Sequence, residues 1–167
     1  MKVRPAAPED AAAIAAIYNQ GVEERVATFR AQPLDSAHFA ARVAAGELFL
    51  VAERGDEVLG AAWVSDYDSE HDYYAGVGEA TLYVERSARR HGSGRVLLEA
   101  LAAAAASAGR HKLVAKIFAS NRASLALFEV CGYREVGVHR RHGLLDGEWK
   151  DVVVVERLLD SGPDRPG

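Results

Sequence analysis

Apolar and polar positions alternate from Glu79 to Val84, with Ala80, Leu82 and Val84 opposed to Glu79, Thr81 and Tyr83. That period of two predicts a strand with one face in the core. Soon afterwards Val96, Leu97, Leu98 and Leu101 recur at helical spacing on an Ala-rich background, which predicts a helix ending at Gly109. Lys2 to Pro5 reads as a short first strand, and Pro8, Glu9 and Asp10 as the start of a helix carrying Ile14, Ile17 and Tyr18. After a polar stretch, Gln20 to Gln32, a second helix is expected from Asp35 to Ala45, capped by Asp35 or Ser36 and stopped by Gly46. Two strands, Leu48 to Glu53 and Val58 to Val64, flank the hairpin turn Arg54-Gly55-Asp56-Glu57. Lys112 to Phe118 forms a strand and Asn121 to Cys131 a short helix stopped by Gly132. Tyr133 to His139 and Trp149 to Leu158 are the last strands, with Asp146-Gly147 as a turn signal between them. The β-branched run Val152 to Val155 predicts a strand covered on both faces, near the middle of a sheet. The order predicts an α+β fold on a single sheet.

A chain of 167 residues, 49% hydrophobic and 26% charged, suits one globular domain with its own core, here assigned to residues 1–159. The tail 160–167, containing SGPDRPG, is expected to be disordered. A net charge of −4 argues against nucleic-acid or membrane-surface partners, which need a basic face. The N-terminus has no apolar signal region and no segment reaches membrane-span length, so a cytoplasmic enzyme is expected. Cys131 is the only cysteine, which removes internal disulfides and cysteine zinc clusters and reads as a buried thiol. Asp66, Asp68, Glu70 and Asp72 suggest calcium at first sight. His71 and Val77 occupy the positions where an EF-hand needs Gly and Glu, so a solvated acidic loop and no metal is expected.

The candidate chemistry lies between the alternating strand and the Ala-rich helix, in Arg89-x-x-Gly92-x-Gly94. Glycines bring the backbone close to a ligand, and helix-start amides with Arg89, Arg90, His91 and Arg95 suit a phosphate. A Rossmann loop needs a third glycine and a Walker loop needs Gly-Lys-Ser/Thr; both are missing. The remaining pattern resembles the acyl-CoA pyrophosphate loop of the GNAT N-acetyltransferases. Asn121 to Glu129, followed by Cys131-Gly132-Tyr133, is similar to the GNAT segment in which an Asn precedes a helix and a Gly-aromatic pair. EERVATF at 23 to 29, YYAGVGEATLYV at 73 to 84, HKLVAKIFASNRAS at 111 to 124 and HGLLDGEWKDVVVVERL at 142 to 158 resemble the phosphinothricin and arsinothricin branch.

The resemblance implies a mixed, mostly antiparallel seven-stranded sheet flanked by about four helices. It implies acetyl-CoA as co-substrate, a small amino-acid analogue as acceptor, arsinothricin or phosphinothricin as the specific one, and resistance as the outcome. It also implies a homodimer. Glu79 takes the place of the general base, with a cation-paired strand carboxylate as the alternative reading. The cofactor set carried over is Leu82, Tyr83 and Val84, Arg89, Arg90 and His91, Gly92, Ser93 and Gly94, Arg95, Asn121 and Ser124. Asn121 also reads as a helix cap. Acceptor contacts are expected from Arg25, Thr28, Arg30, Tyr73, Tyr74 and His142, which offer cations and hydroxyls to a dianionic glutamate analogue. Phe128 departs from the family, which carries Tyr or, in this branch, His there as the acid for the leaving thiolate; Tyr83 and Tyr133 are the substitutes within the chain. A broader L-amino-acid or methionine sulfoximine acyltransferase is the enzymatic alternative, and a non-catalytic acyl-CoA sensor the alternative of another class.

Overall fold

Short polar side chains start two of the helices in the computed structural model, which describes residues 1–159. The Asp35 carboxylate accepts from the Ala37 amide at 2.8 Å and opens α2 (Ser36–Ala44); Asn121 Oδ1 accepts from the Ser124 amide at 3.2 Å and opens α4 (Arg122–Val130). Helix α1 (Ala11–Glu24) follows a 3₁₀ turn at Pro8–Asp10, where the Asp10 carboxylate accepts from the Ala7 amide and pairs with Arg4 at 2.7 Å. Helix α3 (Ser93–Ser107) starts after Gly92, whose φ of 86° is the left-handed conformation that favours glycine.

The strands are β1 (Lys2–Pro5), β2 (Leu48–Arg54), β3 (Glu57–Asp66), β4 (Val77–Val84), β5 (Lys112–Phe118), β6 (Arg134–Leu145) and β7 (Glu148–Leu158). They form one seven-stranded sheet in the order β1-β2-β3-β4-β5-β7-β6, antiparallel except for β4 with β5. The expected α+β architecture is therefore present. Strand β6 runs past the expected end at His139. Arg141 takes a φ of 47°, the register shifts between His139 and Gly143, and pairing resumes to a two-residue turn with positive φ at both Asp146 and Gly147. The valine run does not lie mid-sheet: β7 is next to the edge strand. Val153 and Val155 are buried on one face; on the other, Val152 is buried with Phe118 and Leu145 while Val154 is half-buried, so the expected cover on both faces holds at Val152 and thins at Val154. The predicted tail at 160–167 lies outside the described residues.

Helix α3 packs Leu97, Leu98, Leu101 and Ala105 against Leu50, Ala62, Leu113 and Val153 on one face of the sheet, each fully buried Leu contributing about 1.5–3 kcal/mol. On the other face α1 and α2 enclose Tyr18, Phe39, Phe49 and Trp63 over β2 to β4. Beyond β4 that face opens into a groove over β5, β7 and β6.

Candidate active site

The one parallel pairing is also the point where the sheet parts. β4 and β5 are in register only at Val77 with Lys112, Gly78 with Leu113 and Glu79 with Val114; further on, β4 follows β3 to Val84 and β5 follows β7 to Phe118. Diverging strands leave backbone groups facing each other without a ladder partner. Their direction follows from the antiparallel alternation. Glu85 donates to the Leu59 carbonyl and Tyr67 donates to that of Val77, so odd-numbered residues of β4 bond to β3 and the amides of Leu82 and Val84 point into the fork. Tyr83 thus has its backbone in the β3 ladder, and its ring packs on Tyr18 and Trp63. A cleft of about 70 Å³ occupies the fork, lined among others by Thr81, Leu82, Ala115, Asn121, Ser124 and Phe128.

Glu79 stands at the apex of this fork and lines the same cleft. Its carboxylate does have a cation, since Oε2 lies 3.3 Å from Lys116 Nζ, with 30% and 50% of the two side chains accessible. Lys116 lines both the cleft and the larger groove of about 480 Å³, whose walls include Tyr67, Tyr74, Val114, Val136, His139 and Val154. Nothing in the motifs pointed to Lys116. The available signal was a period-two lysine pair, Lys112 and Lys116, on a strand whose alternate residues Leu113, Ala115 and Ile117 are core.

At the far end of β4 the charges divide. Arg89 bonds Glu24 at 2.8 Å and the Val84 carbonyl at 3.1 Å, while Arg86 bonds Glu24 at 2.8 Å. Burial opposes ionisation of Glu24, but the hydrogen bonds from Arg89 and Arg86 outweigh it and hold that carboxyl below its usual range. Arg90, with a φ of 64°, His91 and Arg95 are exposed around the α3 start, where the first-turn amides have no intrahelical acceptor. The two glycines differ in purpose. A Cβ on Gly92 would meet open space, whereas one on Gly94 would lie 2.8 Å from Leu127 Cδ2, so Gly94 serves helix packing rather than ligand approach. Ser93 is buried with its hydroxyl 3.4 Å from the Ala88 carbonyl.

The α1–α2 connection walls the other side of the fork. Ala27 lines the cleft, Asn121 Nδ2 donates to the Val26 carbonyl at 3.2 Å, and Phe29 packs edge-on against Phe118 and over Gly143. Arg25 straps this connection to the last hairpin through Asp146 at 3.1 Å and donates to the Val22 and Ala31 carbonyls. Thr28 sits 3.4 Å from the Tyr18 hydroxyl and accepts from the Arg30 amide; Arg30 is exposed. Tyr74 lines the groove, Tyr73 is exposed beside it, and His142 stacks on His139 at 4.2 Å. Of the six expected acceptor residues, Tyr74 alone lines either opening. In the acidic loop Asp66 pairs with Arg110 and Asp68 with His71; among the described residues no group of three His, Cys, Asp or Glu side chains is placed to hold a metal.

Phe128 lines the cleft and packs edge-on against Tyr133 at 4.8 Å. Tyr133 is 3% exposed, its hydroxyl has no hydrogen-bond partner among the described residues, and burial pushes its phenol well above the ordinary range. Burial does the same to Tyr83 and, in the core, raises the Cys131 thiol.

The Acetyltransferase (GNAT) family matches residues 14–133. The chain is similar to the phosphinothricin N-acetyltransferase of Alcaligenes faecalis, 35% identical over 165 residues, with 96% of this chain and 83% of that protein covered. It is also similar to the L-amino acid N-acyltransferase MnaT of Escherichia coli strain K12, 35% identical over 173 residues that cover 100% of both. Among solved structures, yncA from Salmonella typhimurium with its cofactor acetyl-CoA superposes with a TM-score of 0.93 at 30% identity, covering 100% of this chain and 98% of that one.

Proposed function

Because the chain belongs to the acetyltransferase (GNAT) family, whose members transfer acetyl from acetyl-CoA, we propose that it acetylates the α-amine of a free amino-acid analogue. Glutamate-like antimetabolites, arsinothricin or phosphinothricin, are the proposed acceptors, and resistance to them the proposed consequence. The observation that carries this reading is Glu79 at the apex of the fork, reached from the phosphate-binding helix start on one side and the open half-sheet on the other.

Acetyl-CoA supplies an activated thioester. In this reading the α3 amides, Arg90 and Arg95 hold the pyrophosphate, with His91, Gly92, Ser93 and Gly94 shaping the turn. Arg89 acts at one remove, fixing Val84 and Glu24. Asn121 and Ser124 border the pantetheine arm, and the amides of Leu82 and Val84 polarise the thioester carbonyl where negative charge develops. Glu79 takes a proton from the acceptor ammonium, directly or through water, and the freed amine attacks the acetyl carbon as the C–S bond breaks. Phe128 donates no proton, so sulfur leaves as thiolate, tolerable for a group whose ordinary pKa is about 8.5, and the second proton that nitrogen sheds as the amide forms passes through water to that thiolate. Tyr74, with Thr28, Arg25, Arg30, Tyr73 and His142 around the loops, borders the acceptor side.

A second reading, a broader L-amino-acid acyltransferase, is favoured by the Val114, Val136 and Val154 walls of the groove, which accept an uncharged side chain such as that of methionine sulfoximine. A homodimer is supported by apolar residues exposed on the last hairpin, Val136, Val138, Leu144 and Trp149, along a free sheet edge. The dependence on acetyl-CoA supports a cytoplasmic setting. Thiol release from acetyl-CoA with arsinothricin, phosphinothricin and methionine sulfoximine side by side tests the function. Highest kcat/KM on the first two supports the resistance reading, preference for methionine sulfoximine supports the second, and no turnover on any amino acid contradicts both.

A further inference from the structure

The cations of the groove are unequal. Lys112 is held by Glu156 at 2.6 Å, and Glu156 is bound again by Arg134. Lys116, two same-face positions further along β5, beyond Val114, has only Glu79, at the longer distance of 3.3 Å, and half its side chain is accessible. The two partners come from opposite arms of the fork, β5 and β4, and meet where the narrow cleft opens into the groove.

We propose that the Glu79–Lys116 pair is a receptor for the zwitterion of an α-amino acid, Glu79 taking the ammonium and Lys116 the α-carboxylate. The inference rests on the acetyltransferase reading above and narrows its substrate class. The nitrogen and carboxylate carbon of an α-amino acid lie about 2.5 Å apart across two bonds, which matches a cation and an anion 3.3 Å apart presented side by side. Inserting the zwitterion exchanges one ion pair for two with no change of net charge, so neither protein charge is left unpaired as the acceptor covers the site. The same insertion delivers the amine to the carboxylate that accepts its proton. The side chain then extends over Val114 and Val154, with Tyr67, Tyr74 and His139 as its polar contacts. Lys116 is thus a specificity-determining residue that reads the α-carboxylate, and the acceptor side chain is read loosely.

Calorimetric titration of the protein saturated with CoA, which cannot react, tests this with methionine sulfone, its carboxamide and glutamate. The wild type is expected to bind methionine sulfone about 10- to 100-fold more tightly than the carboxamide, the range of one charge-assisted hydrogen bond. In Lys116→Gln that preference falls to within about threefold while carboxamide affinity and Tm hold, and Lys116→Arg restores most of it. A Lys116→Gln protein that keeps the wild-type preference, a wild type that does not distinguish acid from amide, or one that binds neither methionine sulfone nor glutamate overturns the proposal. Turnover with acetyl-CoA is scored separately: carboxylate-selective binding without acetyl transfer refutes the catalytic reading and leaves the receptor intact.

Discussion

Replacing Tyr133 with Phe removes one buried oxygen whose removal the structure predicts to be beneficial. The ring is 3% exposed and its hydroxyl has no partner among the described residues, so the folded state carries a desolvated donor and acceptor costing about 1–3 kcal/mol. The ring and its edge-on contact with Phe128 survive the substitution, and the space left by an oxygen, about 10–15 Å³, costs about 0.3 kcal/mol. The net expectation is a gain of about 1 kcal/mol, or about 2–4 °C in Tm for a chain of this size. A pH arm sharpens the test. The folded phenol is held above its ordinary value of 10.0 by burial, so the unfolded chain loses this proton first; the group adds no pH dependence below pH 10, and the folded state loses stability as pH rises beyond it. Tyr83, raised for the same reason, contributes a similar alkaline loss. Tyr133→Phe should therefore lose stability less steeply above pH 10 than the wild type. Thermal and denaturant unfolding measure both effects, and kcat should stay within about twofold. A destabilisation of 1 kcal/mol or more, or a kcat loss of the 10²-fold size expected for an acid, would refute the reasoning and give the hydroxyl a working partner.

Other substitutions test other joints of the structure. Gly94→Val forces a branched side chain into Leu127, where even a Cβ would sit at 2.8 Å, and should destabilise by about 1–3 kcal/mol in chemical unfolding. Gly92→Ala meets no atom but must hold a φ of 86°, so a cost of about 1 kcal/mol and a raised KM for acetyl-CoA are expected. Asp10→Asn breaks the Arg4 pair and should cost about 1.5–3 kcal/mol at pH 7. Hydrogen bonds from Arg4 hold the Asp10 carboxyl below 3.8 despite burial; its contribution is present above that pH and vanishes as pH falls further, so the two unfolding curves converge in acid. Arg95→Ala combined with Arg90→Ala should raise KM for acetyl-CoA about tenfold or more, less at high salt, with kcat nearly unchanged.

Local chemistry was legible wherever a few neighbouring residues decide it. Asp35 and Asn121 cap the helices expected of them, and β5 spans the expected Lys112 to Phe118. Glu79, Leu82 and Val84 could be assigned to the two faces of β4 by alternation alone, and the structure bears this out. What the sequence withheld depends on distant partners. The pairing of Arg89 with Glu24, 65 residues away, was invisible in the sequence. The contacts Arg25 makes with Asp146 and two backbone carbonyls were likewise not legible. The bulge that carries β6 past His139 hides behind the polar run Arg140 to His142, and the valine run misled about position alone, because Phe118 and Leu145 cover Val152 on the second face of a penultimate strand. Lys116 gains meaning only when the fork brings it to Glu79.

In the proposed mechanism Glu79 at the fork accepts the acceptor's proton. Single-turnover acetyl transfer by Glu79→Gln, with acetyl-CoA affinity measured on the same preparation, tests it most directly. The transfer rate should fall about 10²- to 10⁴-fold with acetyl-CoA binding unchanged. A transfer rate within about threefold of the wild type would contradict it.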